Sequence, residues 1–270
     1  METSKFVKQL ASNNRVVREK ALETLEQFIV SAQFKKSKQV QFDKLWKGLY
    51  YAMWFCDRPR PQQRLASTLG ALHVRFFDER DGGAEELTVN DKAFVRFSKA
   101  FWRIMCLEWL GIDRFRLDKY LLLIRRALFN QFKYLQMRQW HAPLVAKYLE
   151  RVLGAIPLSG DPKVYNGIPI HVMDIMLDEW ERLALEDEEE ELEEDKKLEI
   201  MKEFVSGSPL DQVLDILRNL LKNYDNSKIL RDKIKKEVLT DKRLAQWGIV
   251  EKKQTEEEKE AQSEEEWKGF

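Results

Sequence analysis

Three histidines, two cysteines and one glycine pair are the places in this 270-residue chain where reactive or ligand-binding chemistry would be sought. His73, His141 and His171 are far apart, and no H-E-x-x-H pair, Cys/His cluster or nucleophile elbow is present. His171, Asp174 and Asp178 would meet on one face of a helix, a spacing open to a metal ion. Met173, Leu177 and Trp180 interleave them, and a solvated polar face is the simpler reading. Gly82-Gly83 lacks the Lys-Ser/Thr of a phosphate loop and the G-x-G-x-x-G spacing, so it gives nucleotide binding no support. Cys56 and Cys106 belong to no C-x-x-C pair and read as reduced, buried thiols of the cytosol or nucleus. Carboxylates are abundant in a chain that is 34% charged, and none stands out. The expectation is a chain with no catalytic residue, cofactor, metal or small-molecule substrate.

Arginine is the residue type with a function to suggest. Arg58, Arg60 and Arg64 surround the proline corner Asp57-Arg58-Pro59-Arg60-Pro61, Arg114 and Arg116 open a long helical stretch, and Arg125 and Arg126 lie within it. A guanidinium is a planar fork that matches phosphate. Backbone phosphate contacts give affinity without reading sequence. The competing reading is that these arginines close salt bridges between stacked helices, with Asp57 or Asp113 as partners. These seven are the candidate contacts with nucleic-acid phosphate or a protein partner.

The elements that must position them are helical. Trp46 to Leu65 is the organising stretch. Leu45, Leu49, Ala52 and Cys56 form one stripe, and Trp46, Tyr50, Met53 and Trp54 another, so the helix is buried between neighbours. It breaks at the prolines, and Pro61 suits the first position of the next helix. Asn13 or Asn14 caps a helix running on to Ile29. In it Arg18, Ala21, Leu22 and Leu25 read as the R-x-x-A-L-x-x-L signature of HEAT-type repeats. A related pattern returns at Arg64-Leu65-Ala66, a spacing inside the HEAT period of about 40–47 residues. Further helices are expected near 90–110, 114–138, 142–154, 169–185 and twice within 209–247. Trp46, Trp54, Trp102 and Trp109 read as core, Trp247 and Trp267 as anchors for a partner surface.

Charge is zero in total but polarised: residues 1–150 hold 27 Lys+Arg against 16 Asp+Glu, and residues 151–200 hold 5 against 15. Such asymmetry points to a polyanion partner for the basic part. The expected layout is a basic solenoid over 1–185, an acidic linker or helix start over 186–199, a helical segment over 200–250 and a charged flexible tail over 251–270. Residues 154–169, with three prolines and three glycines, form an irregular connection. No secretory signal or membrane span is expected.

The stretches FVKQLASNNRVVREKALETLEQFI, LWKGLYYAMWFCDRPRPQQRLA and FWRIMCLEWLGIDRFRLDKYLLLIRR together resemble the N-terminal region of the ribosomal RNA-processing protein 1 family. The likeness thins after the proline-rich connection. The length is like that of the short fungal-type members, without the long basic extension of the animal type. The resemblance implies a nuclear, chiefly nucleolar, non-catalytic factor of the large-subunit pre-ribosome, needed for precursor rRNA processing. It also implies neighbouring assembly factors that include a WD-repeat propeller and a Brix-domain protein. The whole reads as an all-α, HEAT/armadillo-like helical solenoid of stacked antiparallel helix pairs, acting as an assembly scaffold. The alternative is a protein–protein adaptor solenoid without direct RNA contact.

Overall fold

A computed structural model describes residues 3–186, 188 and 193–249. The described residues are helical, with no strand among them. In chain order the helices are α1 (Thr3–Leu10), α2 (Arg15–Glu23), α3 (Leu25–Val30), α4 (Ala32–Lys35), α5 (Gln39–Trp54), α6 (Pro59–Ala71) and α7 (Val89–Glu108). They continue as α8 (Leu117–Met137), α9 (Ala142–Tyr148), α10 (Gly167–Ala184), α11 (Glu194–Ser206), α12 (Leu210–Lys222), α13 (Lys228–Lys233) and α14 (Lys242–Gln246). Single π turns, Leu149–Leu153 and Ile234–Val238, extend α9 and α13.

Alternate helices pack side by side. One row runs α1, α5, α7, α9, and the second runs α6, α8, α10 and on to α11 and α13. This is the two-row stacking of a helical solenoid, in which each pair buries its apolar face only against its neighbours. One continuous core extends from Phe6 to Trp247. Trp46 is at its centre, 4.9 Å from both Phe97 and Phe101 between ring centroids. Trp102 and Trp109 are buried as well, while Trp54 is half-buried.

Local chemistry sets the helix ends. The Asn14 side chain accepts from the backbone N–H groups of Val16 and Val17, capping α2. The expected helix through Ile29 is interrupted at Thr24, whose hydroxyl donates to the Ala21 carbonyl at 3.1 Å and competes with the helical ladder. At the proline corner α6 begins two residues earlier than expected. Pro59 holds the first position, and Pro61 still lies in the first turn, where no intrahelical N–H is required. Thr88 and Asp91 form a reciprocal capping box that starts α7. Residues between Gly154 and Asn166 form the irregular connection.

Trp247 is buried beneath Arg243, whose guanidinium lies 5.7 Å from its ring, so it is not a free anchor. Trp267 and the tail over 251–270 lie outside the described residues, as does much of the acidic run. Within that run Glu186 pairs with Lys133 at 2.5 Å.

Candidate nucleic-acid interface

The corner between α5 and α6 is where basic side chains from three helices converge. A helix leaves its last carbonyls without partners and carries partial negative charge there. At the end of α5 those carbonyls are taken by cations from elsewhere in the chain. Lys119 Nζ of α8 donates to the carbonyls of Trp54 at 2.8 Å and Cys56 at 2.9 Å. Arg18 of α2 donates to the carbonyl of Phe55 at 3.2 Å and to those of Ser12 and Asn13. Gln62 donates a further bond to Cys56. The Arg116 guanidinium lies 4.4 Å from the Trp54 ring, and the Tyr120 hydroxyl donates to the Tyr50 carbonyl.

Burial pushes the Lys119 ammonium below its ordinary value, with Asp57 opposing and Arg116 adding to the shift. Burial likewise raises the Cys56 thiol, against the nearby Lys119 and Arg18, and the Cys106 thiol to about 12. Both cysteines are therefore protonated near neutral pH and poor nucleophiles.

The seven arginines singled out from the sequence fall into three settings. Arg58, Arg60 and Arg64 are exposed at the corner, and their side chains make no hydrogen bond or ion pair among the described residues. Arg60 and Arg64 lie one turn apart on α6. Arg114 and Arg116 occupy the α7–α8 turn beside that corner. Arg114 covers its neighbour Phe115 at 4.7 Å, and Arg116 pairs with Asp113. Arg125 and Arg126 lie further along α8, where it faces α10. Arg125 binds the buried carboxylate of Glu179 and reaches Asp178 at 3.3 Å, tying α8 to α10. Burial and Arg182 lower the Arg126 guanidinium, whose Nε is buried without a partner.

The histidine–carboxylate trio is likewise occupied. His171 Nε2 contacts the Leu121 carbonyl, Asp174 pairs with Lys233, and Asp178 pairs with Arg125 and Arg243. No cluster of potential metal ligands occurs among the described residues.

The description "Nucleolar protein, Nop52" belongs to a family model that matches residues 1–269. The chain belongs to the Nop52 family. Membership assigns it to the nucleolus, as the resemblance implied. Ribosomal RNA processing protein 1 homolog A of Homo sapiens is 33% identical over 202 residues, covering 74% of this chain and 40% of that protein. Homolog B of Homo sapiens is 34% identical over 184 residues, 66% of this chain and 22% of that protein. The homolog of Drosophila melanogaster is 31% identical over 183 residues, 67% of this chain and 25% of that protein. The chain thus spans between about a fifth and two fifths of the length of these relatives.

This Nop52-family chain also has basic residues that the sequence reading passed over. Lys92, Arg96, Lys99 and Arg103 recur at helical spacing along the outer face of α7, and Lys44 and Lys47 lie on the adjoining face of α5. The spacing i, i+4, i+7, i+11 was visible in the sequence. Lys92 and Lys99 alternate with Arg96 and Arg103, so no arginine cluster marks the stripe.

Proposed function

We propose that this chain is a non-catalytic scaffold of the large-subunit pre-ribosome, where it supports precursor rRNA processing and subunit assembly. Its basic N-terminal two-thirds meets rRNA phosphates, and its acidic and C-terminal helical parts meet other assembly factors. A WD-repeat propeller and a Brix-domain protein are among those proposed neighbours. Relatives named for ribosomal RNA processing support the process. The observation that carries the contact is the corner. Lys119 and Arg18 are consumed by the α5 carbonyls, while Arg58, Arg60 and Arg64 stay exposed and unpaired among the described residues.

The test is the salt dependence of RNA binding by the full chain and by its Arg58→Ala, Arg60→Ala, Arg64→Ala variant. Each lost phosphate contact lowers the log–log slope by about 0.7–0.9. An unchanged slope in a variant of normal helicity overturns the phosphate role.

A second reading, an adaptor without RNA contact, draws on the α7–α8 turn. Leu107, Leu110 and Phe115 are 73%, 81% and 80% exposed there, and exposed apolar patches mark protein interaction sites. Co-sedimentation with pre-ribosomes that survives high salt but requires one protein partner favours it.

A further inference from the structure

We propose that the outer face of α5 and α7 is a second, sequence-independent binding strip for the RNA backbone, separate from the proline corner. It rests on the rRNA reading for its choice of polyanion. Lys92, Arg96, Lys99 and Arg103 span about 16 Å along α7, at about 1.5 Å per residue. Lys44 and Lys47 flank them on α5, one helix spacing of about 8–10 Å away.

The seam between the two helices fixes which sides face outward together. Asp43 of α5 pairs with Arg103 at 2.9 Å, and Lys47 pairs with Glu108. Gln39 donates to the Arg96 carbonyl at 2.9 Å, and the Arg96 guanidinium reaches the Lys35 carbonyl at 3.4 Å. These contacts use the acidic groups of the seam, Asp43 and Glu108, and hold Lys47 and Arg103 in place. The ammonium groups of Lys44, Lys92 and Lys99 have no ion-pair or hydrogen-bond partner among the described residues. These three lysines give the strip an uncompensated positive surface on a pair of packed helices.

Its composition favours phosphate over protein. Protein interfaces are depleted of lysine and built around aromatic or apolar anchors. Along α7 the exposed apolar residues Val89 and Leu107 stand at the two ends of the stripe, with Leu110 just beyond the helix, and the middle is cationic. Lysines are point charges without the fixed fork of arginine, so they hold a backbone without specifying bases.

The test measures binding of the full chain to short RNA duplexes of unrelated sequence between about 50 and 200 mM salt. It compares the chain with Lys44→Gln, Lys92→Gln, Lys99→Gln and with the corresponding triple Lys→Arg variant. The Gln variant should lose about 2.1–2.7 from the salt slope, at about 0.7–0.9 per contact, equally for every duplex. The Arg variant should retain the slope. A Gln variant with a wild-type slope overturns the strip. If the corner variant Arg58→Ala, Arg60→Ala, Arg64→Ala still lowers the slope in that case, the corner contact survives alone. If neither variant does, both fall. A polyglutamate peptide is the competing probe. Loss of its binding with RNA binding intact makes the face a dock for acidic protein and overturns the proposal.

Discussion

Asp91 and Arg138 form a buried bidentate ion pair that fastens the start of α7 to the end of α8. Arg138 Nε donates to Asp91 Oδ1 at 3.0 Å and Nη2 to Oδ2 at 3.2 Å. The Tyr134 hydroxyl donates to Oδ1, the Thr88 N–H to Oδ2, and Arg138 Nη1 to the Asp81 carbonyl. Removing one partner of such a pair leaves a buried charge uncompensated, at a cost of about 3–5 kcal/mol. Arg138→Ala should lower stability in urea denaturation by that amount. Burial alone raises the Asp91 carboxyl, but Arg138, Thr88 and Tyr134 together hold it below its ordinary value. Its contribution is present above the unfolded carboxylate range and is lost as pH falls through the lower folded value. Arg138→Ala should also move acid unfolding to higher pH, which circular dichroism across an acid titration would reveal.

His73 gives a second pH prediction. It is fully buried beside Trp46, and burial lowers its imidazole to about 3, against a smaller upward pull from the Gly70 carbonyl. Nδ1 faces that carbonyl at 2.9 Å and Nε2 faces the Gln131 amide nitrogen at 3.0 Å. A neutral ring with its proton on Nδ1 satisfies both. Gln131 in turn accepts from Trp102 and Tyr148. The folded value lies below the unfolded one, so stability is full above about 6.5 and falls as pH drops toward 3. His73→Asn should flatten the melting-temperature profile across that window, whatever its effect at neutral pH. An equally steep profile would place the titration elsewhere.

Gly70 sets the closest approach of α6 to α8. A Cβ there would lie 2.8 Å from the backbone carbonyl carbon and oxygen of Arg126. Gly70→Ala should destabilise by about 1–3 kcal/mol through overpacking, although alanine is the better helix former by about 1 kcal/mol. Gly111, where an added Cβ meets nothing within 4 Å, is the control. Gly111→Ala should leave the urea midpoint unchanged or slightly raised.

Helix positions were legible because apolar spacing survives without tertiary information. α7, α8 and α10 begin and end within a few residues of their expected limits. Arg18 was legible as a motif residue, but its task was not, because the carbonyl it caps lies 37 residues away. The same distance problem separated Arg125 from Arg60. Both read as basic residues on a helix, yet Asp178 and Glu179, which engage Arg125, come from a helix that the chain reaches about fifty residues later. Trp247 misled because its sequence neighbours are charged, and Arg243 covers its ring rather than exposing it. The break at Thr24 was hidden because the apolar rhythm continues through it while a single hydroxyl diverts the backbone.

The cap on α5 also has a consequence in time. Lys119 follows Cys56 by 63 residues. A ribosome adding about 5–20 residues per second needs about 3–13 s to deliver it. Throughout that interval the nascent corner has only Arg18 and Gln62 to hold its carbonyls, and its aromatic residues await α7 and α8. The closing of this basic corner therefore waits on the translation of α8, and its pace is set by the rate of elongation.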